Sequence, residues 1–242
     1  MTPFVAELLG TALIIIFGDG VVANVLLKNS KGNNGGWIVI AFGWAMAVFI
    51  GVYVSAAASG AHLNPAVTLA LAYLGKFDWS LVPGYLLAQL LGGMLGALLV
   101  WAVYRQHYDA TTDADLQLAT FCTGPAIRNY PQNLLTECLA TFIFVVAILF
   151  IAKPTDATGQ SFGLGALDAL PVALLVLGMG LSLGGPTGYA INPARDLGPR
   201  IMHFILPIKG KRDSDWAYSW VPVLGPVTGA LLAAWVFQTF LS

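Results

Sequence analysis

Charge is what this sequence has least of. Lys and Arg together number 11 and Asp and Glu 12 in 242 residues, 10% of the chain, against 57% hydrophobic residues. A soluble domain of this size covers its core with a shell that makes roughly a quarter of all residues charged, and no such shell can be built here. The balance is −1, so there is no basic face for nucleic acid or another acidic partner. Cysteine is nearly absent as well. Cys122 and Cys138 make no disulfide framework and read as small apolar packing residues. No His, Cys or carboxylate group stands at catalytic or metal-ligand spacing, so neither an enzyme nor a metal or cofactor is expected.

What remains is apolar, with a mean hydropathy of +0.77, and the chain reads as an all-α membrane protein. Crossing the hydrocarbon core takes about 20 residues. Six stretches qualify, around 4–27, 37–57, 81–104, 134–152, 167–184 and 218–240. The first is expected to be a retained transmembrane helix, since it lacks a basic leader and Glu7 interrupts it. Gly92/Gly96 and Gly225/Gly229 have the spacing that lets helices approach closely in lipid. Two further apolar segments, 65–75 and 193–205, reach only about halfway across and read as re-entrant half-helices. Irregular backbone at that depth must be buried in protein or line a water-filled cavity.

The sequence also repeats itself. "AELLGTALIIIFG" around Glu7 resembles "TECLATFIFVVAI" around Glu137, an offset of 130. Asn64 and Asn192 are 128 apart, and "GALLVW" from Gly96 matches "GALLAAW" from Gly229, an offset of 133. Each half, about 1–108 and 131–242 joined by a loop over 109–130, thus holds three spans and one half-helix. An odd number of spans turns the second half upside down, and such inverted repeats place their special site where discontinuous helices meet near the midplane.

"SGAHLNPAV" from Ser59 and "TGYAINPARD" from Thr187 supply those half-helix starts. Asn is a leading N-cap residue, Pro at the next position has no N–H to leave unpaired, and Ala begins a good helix. One Asn-Pro-Ala triplet would be no more than a capped helix start. Two copies, Asn64-Pro65-Ala66 and Asn192-Pro193-Ala194, share a Ser/Thr-Gly frame five residues ahead of the Asn. In an inverted repeat they meet at the bilayer centre, with two side-chain amides free as donors and two positive helix ends facing one narrow space. That arrangement commits the lone pairs of a solute oxygen, breaks any proton-relaying water chain and repels cations. Extended backbone ahead of each Asn would offer carbonyl acceptors from Gly60, Ala61 and His62 and from Gly188, Tyr189 and Ala190.

These residues resemble the major intrinsic protein family, the aquaporins and glycerol facilitators, across nearly the whole chain. The resemblance implies an aquaporin-like fold, one pore per subunit, a homotetramer in the plasma membrane and cytoplasmic termini. It further implies a filter of Trp44, twenty before Asn64; Gly180, twelve before Asn192; Tyr189; and Arg195. Gly180 stands where water-selective members supply a His, so an apolar corner of Trp44 and Tyr189 would face Arg195. Asp196, after that Arg, and Pro222-Val223 in the last span are similar to the glycerol branch, whereas Tyr189 departs from its more usual Phe. Glu7 and Glu137 resemble the family's loop-bracing glutamates. His62 is expected to neighbour the first motif, and His107 and His203 to be satisfied or solvated. Asp19 is costly in lipid and should face protein or water, either lining an outer vestibule or capping a neighbouring loop, with the cap favoured.

The implied orientation leaves Lys28, Lys31, Arg105, Arg128, Lys209, Lys211 and Arg212 outside and only Lys76 and Lys153 in cytoplasmic loops. The positive-inside rule prefers the reverse; the resemblance is followed. The function expected is a passive channel for glycerol and other small uncharged solutes: water, dihydroxyacetone, urea and protonated lactic acid. A dehydrated carboxylate would lose more hydration than Arg195 alone returns. Two rivals stand beside it. An ion-coupled transporter also uses discontinuous helices but needs an acidic pair or oxygen cluster at the midplane. A closed structural membrane protein of the same fold would pass nothing.

Overall fold

Residues 1–241 are described by a computed structural model, and among them six helices are long and apolar enough to cross a membrane. The first span begins where the sequence offers a cap. Thr2 accepts from the Val5 N–H, Pro3 takes the first turn, and α1 runs Pro3–Leu26. Helix α2, Trp37–Ser59, ends at Gly60 in the left-handed conformation, φ +81°. Then come α3, Pro65–Tyr73, and α4, Val82–Ala110, which is led in by a short 3₁₀ turn. The remaining helices are α5, Ala114–Ala119; α6, Tyr130–Leu149, capped by Asn129; α7, Leu170–Leu183; α8, Pro193–Ile205; and α9, Val221–Val236, continued to Leu241 by a π-helical turn. Ser242, the last residue of the expected second half, lies outside the described residues.

The half-helices have the expected starts, and α8 ends where expected whereas α3 ends two residues early. Nine residues in α3 and thirteen in α8 span about 13 and 20 Å, against a hydrocarbon core of about 30 Å. Each half-helix leans on the last span of the opposite half. Helix α3 packs on α9 and α8 packs on α4, while α1 packs on α2 and α4, and α6 on α9.

The glycine pairs are the close-approach points. A Cβ on Gly92 would sit 2.4 Å from the Leu8 carbonyl oxygen, and one on Gly96 2.6 Å from Ile15 Cβ. In the other half a Cβ on Gly225 would sit 2.6 Å from Glu137 Cβ, and one on Gly229 2.1 Å from the Cys138 carbonyl. Packing and dispersion hold these helices together in lipid, where apolar burial gains little, so backbone proximity matters most.

Two boundaries differ from expectation. Helix α4 continues past 104 to Ala110, and the linking segment 109–130 contains helix α5. Neither needs an apolar stripe. Tyr108 is buried with its hydroxyl 2.6 Å from the Thr120 hydroxyl, and Asp113 caps α5 by accepting from Asp115 and Leu116 N–H groups. The Gln117 amide nitrogen donates to the carbonyls of Tyr108, Thr111 and Lys209, so this linker is folded down rather than loose.

Candidate functional site: two half-helix starts and a shared constriction

Asn64 and Asn192 cap their helices from extended backbone, φ −157° and −147°. The Asn64 Oδ1 accepts from the Ala66 N–H at 2.9 Å, and the Asn192 Oδ1 from Ala194 and Arg195 N–H groups at 3.0 and 3.2 Å. Their amide nitrogens are not wholly free, however. Asn64 Nδ2 donates to the Ile191 carbonyl at 2.9 Å, and Asn192 Nδ2 to the Leu63 carbonyl at 2.8 Å. Each Asn thus holds the residue that precedes the other. A primary amide has two N–H donors, so one remains on each side chain after this exchange. The two bonds fasten the half-helix starts tip to tip.

The backbone ahead of each Asn is not the extended strand expected. Gly60, Ala61 and Leu63 have φ of +81°, +53° and +52°, and Gly188, Tyr189 and Ile191 have +79°, +40° and +45°, the same pattern at an offset of 128. A strand would alternate its carbonyls between two sides; interposed left-handed residues break that alternation. Such conformations cost non-glycine residues of order 1 kcal/mol or more each and persist only where surroundings hold them.

The buried glutamates do the holding. Glu7 Oε1 accepts from the Ser59 hydroxyl at 2.6 Å and the His62 N–H at 2.9 Å, while Oε2 accepts from the Leu63 N–H and Gln89 Nε2, both at 2.7 Å. Glu137 repeats the plan with the Thr187 hydroxyl at 2.6 Å and the Ala190 and Ile191 N–H groups at 3.0 Å. Hydrogen bonds to a charged acceptor contribute roughly 1.5–3 kcal/mol each, enough to offset the strain.

Two cavities meet at this junction. One, of about 330 Å³, is lined by Asn64, Asn192, Gly60, Ala61, His62 and Ala190 among others, with an aliphatic wall that includes Val48, Val52 and Val176. The other, of about 300 Å³, lies between the α2 start and the 119–126 and 184–188 segments and includes Gly188. Trp44, Tyr189 and Arg195 border both, so these three make a wall common to the two cavities. The Arg195 guanidinium carbon lies 3.9 Å from the Trp44 ring centroid, a cation–π contact.

Gly180 borders neither cavity. A Cβ there would fall 2.9 Å from both Cζ and the hydroxyl of Tyr189, so the space left by the missing side chain is filled by the Tyr189 phenol. Of the four expected filter residues, Gly180 is thus the one that reaches the cavities through a neighbour, Tyr189. The Tyr189 hydroxyl is buried with no hydrogen-bond partner among the described residues, and Trp37 fixes the strip by donating to the Gly180 carbonyl at 2.8 Å.

Asp19 is corrected: it caps no loop. It is buried beside Arg195, Oδ1 to Nη1 3.7 Å, and its Oδ2 makes no hydrogen bond among the described residues. At an effective dielectric of about 20 that attraction amounts to roughly 4–5 kcal/mol before desolvation is counted. Its neighbour Gly18 was missed by sequence reasoning. A Cβ on Gly18 would lie 2.3 Å from the Trp44 ring, so that ring rests directly on α1. The signal was an aspartate between two glycines in mid-span.

Asp196 is a structural tie. It accepts from both the N–H and hydroxyl of Thr123 and pairs with Arg200 at 2.8 Å, with Asp196 and Arg200 fully buried. His203 meets the Ser214 hydroxyl at 2.8 Å, His107 meets the Lys28 carbonyl at 2.9 Å, and His62 faces Thr68 at 3.2 Å. Pro222 and Val223 sit in the first turn of α9.

A sequence profile described as Major intrinsic protein matches residues 1–237. The chain belongs to that family. It is 56% identical over 241 residues to the probable glycerol uptake facilitator protein of Thermotoga maritima, covering 98% of this chain and 100% of the relative. It is 50% identical over 240 residues to the glycerol uptake facilitator protein of Streptococcus pneumoniae R6, covering 99% and 100%. Among solved structures, the aquaglyceroporin from Plasmodium falciparum superposes with a TM-score of 0.84 at 32% identity, covering 98% of this chain and 95% of that one. The fold is accordingly the six-span, two-half-helix aquaporin-like one, and the chain is a multi-pass membrane protein.

Proposed function

We propose that this protein is a passive channel for glycerol and similar small uncharged solutes, with water, dihydroxyacetone, urea and protonated lactic acid as further candidates. The observation that carries the reading is the wall common to both cavities: two aromatic faces, Trp44 and Tyr189, beside one guanidinium, Arg195. A polyol has one edge of carbon-bound hydrogens and one of hydroxyls. The rings suit the first and Arg195 with the carbonyls of Gly188, Tyr189 and Ala190 suits the second. Deeper in, the spare N–H of Asn64 and of Asn192 takes over as donor, and Gly60, Ala61 and His62 supply acceptors. A solute oxygen held by both amides cannot pass a proton along a water chain, and the two positive half-helix ends raise the energy of a cation there.

The same reading divides the chain into two inverted halves, 1–108 and 131–242, with the half-helices entering from opposite faces. Both termini are cytoplasmic and the channel sits in the plasma membrane as a homotetramer. Three of the seven cations this orientation leaves outside are engaged by neighbouring polar groups. Arg128 pairs with Asp215, Arg212 with Asp115, and Lys211 donates to the carbonyls of His203, Phe204 and Leu206 at the end of α8. Asp215 holds the Arg128 guanidinium above its ordinary range.

Osmotic swelling of proteoliposomes tests the function. Reswelling in glycerol should be far faster than in empty liposomes and indifferent to proton or sodium gradients. Swelling that needs a gradient would mean a coupled transporter, and swelling no faster than empty liposomes would mean a closed protein.

A further inference from the structure

Arg195 occupies an electrostatically poor position. It stands three residues after the Asn192 cap, at the positive end of α8, where a cation is disfavoured. It is also buried, 8% exposed, and stacked on Trp44. The carboxylate next to it in sequence, Asp196, is already committed to Arg200 and Thr123. The one acidic group that forms an ion pair with Arg195 among the described residues is Asp19 on α1, which lines neither cavity and so stands behind the wall. Asp19 is 1% exposed, and an aspartate at this depth of a span is costly unless something requires it. Gly18 beside it lets the Trp44 ring lie against α1, so one short segment backs both the aromatic and the cationic wall of the constriction.

We infer that Asp19 is the fixed counter-charge and positioning residue of Arg195, leaving the constriction net neutral so that uncharged solutes pass and small anions are refused. The inference rests on the channel reading above. Without Asp19, the guanidinium and two positive half-helix ends would all face one narrow, low-dielectric passage, and such a field concentrates anions. With it, Arg195 keeps its N–H donors for hydroxyls while its charge is cancelled from behind. The chemistry admitted is a neutral hydroxylated solute, including a small acid only in its protonated form.

The test compares two permeabilities in the same proteoliposomes: formate at neutral pH with the membrane potential clamped, and glycerol by swelling. Their ratio removes differences in protein amount. Asp19→Asn should raise the formate-to-glycerol ratio at least about tenfold, and Asp19→Glu, which keeps the charge, should leave the ratio near that of the unaltered protein. An Asn variant that still swells in glycerol at an unchanged ratio would overturn the inference. So would a Glu variant that leaks formate as readily as the Asn variant. If Asp19→Asn does not insert, or loses glycerol flux, the double variant Asp19→Asn, Arg195→Gln decides. Removing both charges should restore insertion if the two residues act as a pair, and failure to restore it overturns the pairing. Absence of glycerol swelling in the unaltered protein would instead refute the channel reading itself.

Discussion

Adding one methyl group at Gly180 should narrow the passage without touching it. The Cβ of Gly180→Ala would lie 2.9 Å from Tyr189 Cζ and hydroxyl and 3.1 Å from Ala41 Cβ. Comfortable heavy-atom contacts are about 3.5–4.0 Å, so the phenol tip must retreat by roughly 0.6–1 Å. The backbone of Gly180 cannot yield easily, because its carbonyl is held by Trp37 Nε1 at 2.8 Å. Ala41 closes another side, and the open space lies toward Trp44 and Arg195, where Tyr189 borders both cavities. Overpacking of this kind costs about 1–3 kcal/mol. If about 1.4 kcal/mol of it appears as an added barrier to a polyol, glycerol flux falls about tenfold. Water, being smaller, should lose no more than about threefold on the same scale. Stopped-flow light scattering gives both rates on one preparation, water from shrinkage and glycerol from reswelling. Gly180→His should carry the effect further, abolishing polyol flux while sparing water. Equal loss of both fluxes, or glycerol flux unaffected by either substitution, would refute the claim that Gly180 acts on the constriction through Tyr189.

Three other outcomes follow from the same geometry. Glu137→Gln exchanges one acceptor oxygen for an NH₂ group, leaving a buried N–H of Ala190 or Ile191 without its partner. The cost is about 3 kcal/mol, read as a lower unfolding midpoint in detergent and a lower yield of swelling-competent protein. Gly229→Ala places a Cβ 2.1 Å from the Cys138 carbonyl, so α6 and α9 must separate; size-exclusion profiles should show aggregated protein, whereas Gly84→Ala, with nothing within 4 Å of its added Cβ, should behave normally. Tyr189→Phe removes a buried hydroxyl without a partner among the described residues and should raise stability by up to about 1 kcal/mol, with glycerol reswelling little changed because that hydroxyl lies against Gly180.

Much of this architecture is legible in the residues. Asn followed by Pro and Ala marks a capped helix start by its own chemistry, and the apolar segments 65–75 and 193–205 are too short to cross a bilayer on arithmetic alone. Glu7 and Glu137 stand out because an isolated carboxylate in a span must have partners. Most of the partners, backbone N–H groups of His62, Leu63, Ala190 and Ile191, leave no mark in composition. Helix α5 was hidden for a related reason: six residues capped by Asp113 and tied by Gln117 carry no apolar period. The mutual grip of Asn64 and Asn192 is equally invisible in sequence, since it depends on carbonyls 127 and 129 residues away. The packing of Tyr189 on Gly180 and the pairing of Asp19 with Arg195, in place of the favoured loop cap, could not be read because each takes its meaning from a neighbour distant in the chain.

The most direct test is an experimental density map of the protein with glycerol. The account predicts a glycerol molecule between the two cavities, its carbons against Trp44 and Tyr189, a hydroxyl within about 3 Å of Arg195, and a continuous passage on to the spare amide hydrogens of Asn64 and Asn192. Glycerol bound elsewhere with the Trp44–Tyr189–Arg195 wall sealed, or the two asparagines turned away from any passage, would contradict it.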